Sequence, residues 1–141
     1  PIRYPASIPQ EQVNWLQKDL ANTQKPTIVF THFSLADQDL TENPWFHGKP
    51  NRCLLKNRAE VRNIFSTSGN VIAVLNGHLH WNNIDQHDGV PYITIQSAVE
   101  KLDGGQISNS WGIIELLGNK FSLEIKGNDP MKFSYDFENH C

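Results

Sequence analysis

The chain is 141 residues long, enough for one domain with its own core, with 38% hydrophobic and 19% charged residues and a formal net charge of −3. That balance excludes the clustered basic footprint of a nucleic-acid binder or of a protein held on acidic membrane surfaces. The longest apolar runs fall far short of the ~20 residues of a membrane span, and two cysteines, Cys53 and Cys141, are too few for a disulfide framework. Both cysteines read as free thiols, which favours a reducing, cytoplasmic setting. The first residue is Pro1 and not Met, so a targeting segment could have been lost with the true start.

Residues 1–8 read as an extended connector. Pro9 opens a helix in which Gln10, Val13, Trp15, Leu16 and Leu20 recur at helical spacing, with Glu11 in the first turn. Residues 22–26 end it. Residues 27–30 (TIVF) are short and β-branched and predict a buried strand that runs straight into Thr31-His32-Phe33-Ser34. Residues 35–52 form a long loop carrying Pro44, Trp45, Phe46, His47, Gly48 and Pro50, and a loop of that length in a compact domain is usually functional. A second helix is expected over residues 54–66 with Gly69 as its stop, followed by a strand at 71–75. Strand, helix and strand make a βαβ unit with two parallel strands.

The second half reads as mostly antiparallel β. His87-Asp88-Gly89 is a turn, 90–96 (VPYITIQ) alternates as a strand, and 111–117 with 121–126 flank a Gly118-Asn119 hairpin. Residues 127–141 read as an edge strand or a tail. Trp15, Phe65, Trp111 and Phe121 are assigned to the core by their spacing. Asp85, Asp88 and Asp103 fall in turn contexts and read as solvated, as do His47 and His87.

The chemistry concentrates at Val71–Trp81, VIAVLNGHLHW. His32 and His78 both lie just past the ends of strands that should be neighbours, on the edge where α/β sheets bind ligands. His78 and His80 are two residues apart. On an extended backbone their rings would point to opposite sides. That arrangement suits two neighbouring ions about 3.5–4 Å apart, with one imidazole on each, and Gly77 is expected to let the chain turn tightly there. Trp45, Phe46, His47 and Trp81 are candidates for shaping a substrate pocket, with a loop-anchoring mini-core as the competing role for Trp45 and Phe46.

The strand ending in His32 and the Gly77-His78-Leu79-His80 stretch resemble the last two metal-binding motifs of the calcineurin-like metallophosphoesterases. The helix before the first strand, the long loop and the VPYITIQSAVE segment fit the same family, so the resemblance runs from about residue 8 to about residue 126. It implies an α/β fold, the C-terminal half of a four-layer α/β/β/α sandwich, with a mixed sheet and antiparallel C-terminal strands. It also implies a dinuclear centre of Mn, Fe or Zn in the intact protein, with His32 and His78 on one ion and His80 on the other, acting on a phosphorylated small molecule, nucleotides included. The family's earlier motifs supply aspartates, an asparagine and a catalytic histidine. Gly-Asp-x-x-Asp and Gly-Asn-His are absent, and no Asp-x-His precedes His32. The expectation is therefore the C-terminal portion of a single domain, inactive alone, with a partial site, prone to self-association or to pairing with the missing N-terminal half. The alternative is a non-catalytic module of the same fold that binds a ligand or partner.

Overall fold

The computed structural model describes residues 5–138. Helix α1 spans Gln10–Ala21 and begins directly after Pro9, whose fixed φ suits a helix entry. Val13 and Leu20 are its buried positions. Trp15, assigned to the core by spacing, is 63% exposed. Periodicity identified the helix, but the apolar stripe is narrow and Trp15 lies outside it. Strand β1, Thr27–Thr31, follows.

Residues 32–57 contain a single 3-10 turn at Pro50–Arg52, and helix α2 is Arg58–Ser68. The expected start at residue 54 was too early. Leu54 and Leu55 are buried, but Leu54 bridges to Ser34, and the Leu55 amide donates to the Ser34 carbonyl at 3.0 Å. Asn57 ties this stretch to the connector. Its side chain accepts from the Ile8 amide and donates to the Ile8 carbonyl, both at 3.0 Å. Gly69 closes α2 with φ 69°, a left-handed C-cap.

Strand β2, Val71–Asn76, is buried at every position. Two strands complete its sheet: β3 at Asn83–His87 and β4 at Val90–Thr94. They form a hairpin around Asp88-Gly89, both with positive φ. Strand β3 was not expected, because Asn83, Asp85 and His87 give it a polar face that reads as loop. The order is β1-β2-β4-β3, with β1 and β4 parallel to β2. Among the described residues β1 is therefore an edge strand, not the buried one its composition suggested, and Phe30 is 68% exposed on it.

A second sheet is wholly antiparallel: β5 at Trp111–Leu117, β6 at Lys120–Lys126 and β7 at Met131–Asp136. One apolar core lies between the helices and the first sheet and includes Val13, Val61, Phe65, Val74 and Tyr92. Another lies between the two sheets and includes Ile72, Leu75, Ile93, Phe121 and Ile125. The Tyr135 hydroxyl donates to the Ile72 carbonyl across that gap. Phe65 and Phe121 are buried as expected, but Trp111 is 55% exposed on the outer face of β5, beside Lys126. The described residues thus form three layers, helices on a mixed sheet on an antiparallel sheet. Cys53 is a buried free thiol, pushed up to about 11 by burial. Cys141 lies outside the described residues.

Candidate functional site

The register of the parallel strands makes the site. Thr31, the last residue of β1, pairs with Asn76, the last residue of β2. His32 and His78 therefore leave the same sheet edge side by side. His78 Nδ1 is 3.1 Å from His32 Nε2, and the ring centroids are 4.8 Å apart. His78 Nε2 lies 3.1 Å from the Arg52 carbonyl. A carbonyl can only accept, so Nε2 carries the proton and Nδ1 keeps its lone pair, facing His32. Burial pushes the His78 pKa below its ordinary value, and the neighbouring His32 and His80 add to this against the opposing Arg52 carbonyl. The neutral imidazole is the form that binds a cation.

These two residues fit a shared ion. Nitrogens bound to one cation at about 2.0–2.1 Å are separated by about 2.8–3.4 Å in octahedral or tetrahedral geometry, and the 3.1 Å between these rings, now a direct hydrogen bond, falls in that range. No group of three His, Cys, Asp or Glu side chains gathers to hold an ion among the described residues. His80 is turned to a different partner: its Nδ1 lies 2.5 Å from Glu100 Oε2. All three histidines line one open cleft of about 370 Å³, with Thr31, Asn76 and Gln96 on its walls.

The backbone between the histidines is not extended. His78 has φ 67° and His80 φ 54°. The Leu79 amide donates to the Gly77 carbonyl at 2.8 Å, a γ-turn around His78. Gly77 itself has no positive φ, so the strain falls on the histidines and not on the glycine. Such strain collects at functional sites and must be held by its surroundings. Leu79 does much of the holding. It is fully buried among Leu40, Cys53 and Leu54, and its carbonyl accepts from Asn43 Nδ2 at 2.9 Å.

A buried polar network fixes the strand ends beneath. Gln38 Nε2 donates to Thr94 Oγ1 at 2.5 Å and to Ser34 Oγ at 3.3 Å. Asn76 Nδ2 donates to Thr94 Oγ1 and to the Gly77 carbonyl, and Trp81 Nε1 donates to Gln38 Oε1 at 3.2 Å. Trp81 also packs with Phe46 against the Leu79 cluster. Phe46 stands 5.1 Å from the His78 ring, so it serves both as loop anchor and as a wall for His78. Trp45 is exposed, 6.3 Å from the His80 ring, and donates to Glu100. His47 stays apart: its Nδ1 lies 2.6 Å from the Thr41 carbonyl within the same loop. Asp85-Gln86-His87 has Asp-x-His spacing, but it lies on β3, where Asp85 accepts from Asn83 and His87 meets the Tyr92 ring edge to face. Glu100 is the site residue that sequence reasoning missed, because nothing local marks a carboxylate 20 residues from its partner.

A crystal structure of a dimetal phosphatase from Danio rerio matches with a TM-score of 0.72 at 17% identity, covering 93% of this chain and 39% of that one. The fold is that of the calcineurin-like metallophosphoesterases. The chain spans about two fifths of that phosphatase. Two other solved structures align at lower scores and add nothing to the assignment. They are a predicted phosphoesterase from Streptococcus pneumoniae (TM-score 0.37, 13% identity, 53% of this chain and 47% of that one) and a Vps29 mutant from Entamoeba histolytica (TM-score 0.38, 15% identity, 98% and 94%). Protein-family models and curated proteins give no match. In the metallophosphoesterase fold of this chain, His32, His78 and His80 occupy the carboxyl edge of the parallel strands, and no helix of the described residues is long and apolar enough to cross a membrane.

Proposed function

We propose that this chain is the C-terminal portion of a dinuclear, metal-dependent phosphoester hydrolase. The observation that carries this reading is the convergence of His32 Nε2 and His78 Nδ1 at 3.1 Å on a fold shared with a dimetal phosphatase. His32 and His78 would hold one cation and His80 the second, with Mn, Fe or Zn as the candidates by ligand type. A cation pair at such a site supplies a water of lowered pKa and offsets charge on the phosphoryl oxygens. The residues of this chain position that pair. Arg52 fixes the His78 tautomer, Phe46 walls its ring, and the Asn76–Thr94–Gln38 network holds the strand ends.

Carboxylate ligands and a proton donor come, in this proposal, from polypeptide outside residues 5–138. The edge of β1 left unpaired by the described residues, one residue from His32, is where such polypeptide would pair. The substrate is a phosphorylated small molecule, with nucleotides in the class, and exposed Trp45 and half-buried Trp81 are its candidate contacts. Cys53, a free thiol, supports a cytoplasmic setting.

In the intact protein, His78→Ala is expected to lower hydrolysis of a nitrophenyl phosphodiester by at least about 100-fold, since losing even a ligand's supporting partner costs about 10–100-fold. Circular dichroism would show the fold retained. Near-wild-type turnover would overturn the assignment. A second reading, a non-catalytic binding module, is favoured by the absence of a three-ligand cluster among the described residues. It predicts no dependence of any activity on added Mn²⁺ or Zn²⁺.

A further inference from the structure

We infer that Glu100 is a positioning residue for His80, resting on the reading that His80 is a cation ligand. His80 Nδ1 lies 2.5 Å from Glu100 Oε2, and the Trp45 indole donates to the same oxygen at 3.2 Å. A carboxylate accepts, so His80 carries a proton on Nδ1, and in the neutral ring the lone pair is on Nε2, on the other side. That is the nitrogen left for the cleft that His80 lines. Carboxylate, histidine and cation in series is a recurrent way of fixing a ligand's tautomer and raising its basicity.

Three further observations say that Glu100 is built to stay in place. Its side chain is only 11% exposed, although it comes from the irregular stretch between β4 and β5. Its backbone is held on both sides: the Glu100 amide donates to Ser97, and the Ser108 amide donates to the Glu100 carbonyl at 2.8 Å. The Ser108 hydroxyl then closes the loop on the Ser97 carbonyl at 2.5 Å. His80 itself stands at φ 54°, so its ring direction is set by contacts and not by a relaxed backbone. Glu100 also makes Trp45 part of the same assembly. The long loop reports to the ligand through one oxygen atom.

The test is ¹⁵N NMR of the histidine side chains in the chain at pH 8. Wild type is expected to show His80 protonated on Nδ1. Glu100→Ala is expected to shift His80 to the Nε2–H form, and Glu100→Gln, whose amide oxygen still accepts, to retain the wild-type tautomer. On titration with Zn²⁺, the concentration that half-shifts His80 Nε2 is expected to rise about 10–100-fold in Glu100→Ala and much less in Glu100→Gln. An unchanged tautomer and unchanged Zn²⁺ response in Glu100→Ala would overturn the role of Glu100, as would a wild-type His80 protonated on both nitrogens. Neither result touches the hydrolase assignment, which falls separately if His78→Ala leaves turnover intact.

Discussion

His78 carries two burdens at once, a ring turned to His32 and a left-handed backbone. The second can be isolated. At φ 67° a β-carbon costs about 1–2 kcal/mol that glycine does not incur. His78→Gly is therefore expected to be more stable than His78→Ala by about 1 kcal/mol in urea denaturation, while both lose the imidazole. Equal stabilities would mean that the γ-turn is not populated in solution. At residue scale the sequence exposed His32, His78 and His80 because each follows a strand-like apolar run. It could not expose their φ angles. Alternation on an extended backbone predicted rings on opposite sides, and the actual divergence arises from a turn plus the pull of Glu100.

The elements carry their own tests. Thr94 is fully buried and serves both Gln38 and Asn76. Thr94→Val removes the hydroxyl they share, and an unsatisfied buried polar group costs about 1–3 kcal/mol. A loss of that size in urea denaturation is expected. A neutral result would show that the network is dispensable to the fold. Asp37 joins the start of the long loop to α2 through Arg58 Nε and an Arg62 terminal nitrogen, both at 2.5 Å. Burial works against its ionisation, but the hydrogen bonds and charges of the two arginines outweigh it and hold the pKa below the ordinary carboxylate value. A depressed folded pKa contributes stability above the unfolded value, near pH 4, and that stability is lost as pH falls through the folded value. The carboxylate is 46% exposed, so the contribution is at most about 1 kcal/mol. In Asp37→Asn, the drop in stability below about pH 4 is expected to shrink by up to that amount in acid titrations followed by circular dichroism.

Element type was legible wherever apolar residues recur at 3.6 or 2, as in α1 and β6, or run unbroken over a short β-branched stretch, as in β2. It failed at β3, where a polar face masks the period, and at the start of α2, where Leu54 and Leu55 are buried by a bridge and not by a helix. Trp15 and Trp111 show the other limit. Spacing shows that a residue belongs to an element but not which face the neighbouring layer covers.

At the scale of the molecule, the four outer strands differ in character. β7 presents Lys132 and Asp136 and β3 presents Gln86 beside a marginally exposed Ile84, whereas β1 exposes Phe30 and β5 exposes Trp111, Ile113 and Leu117. Charged edges resist pairing and apolar ones invite it. Beside β1, Trp15 and Leu16 border a groove of about 500 Å³. The chain is therefore expected to self-associate, and Phe30→Lys to weaken that association in sedimentation velocity. A chain that stays monomeric at high concentration would count against β1 as a docking edge.

The closeness of that edge to His32 has a thermodynamic result. In the proposed site, a strand added to β1 would order the backbone one residue from His32, and a cation held there would order the same backbone from the other side. Because coupling between two binding events is reciprocal, each would strengthen the other by the same factor, so cation affinity and assembly would rise together as a single equilibrium.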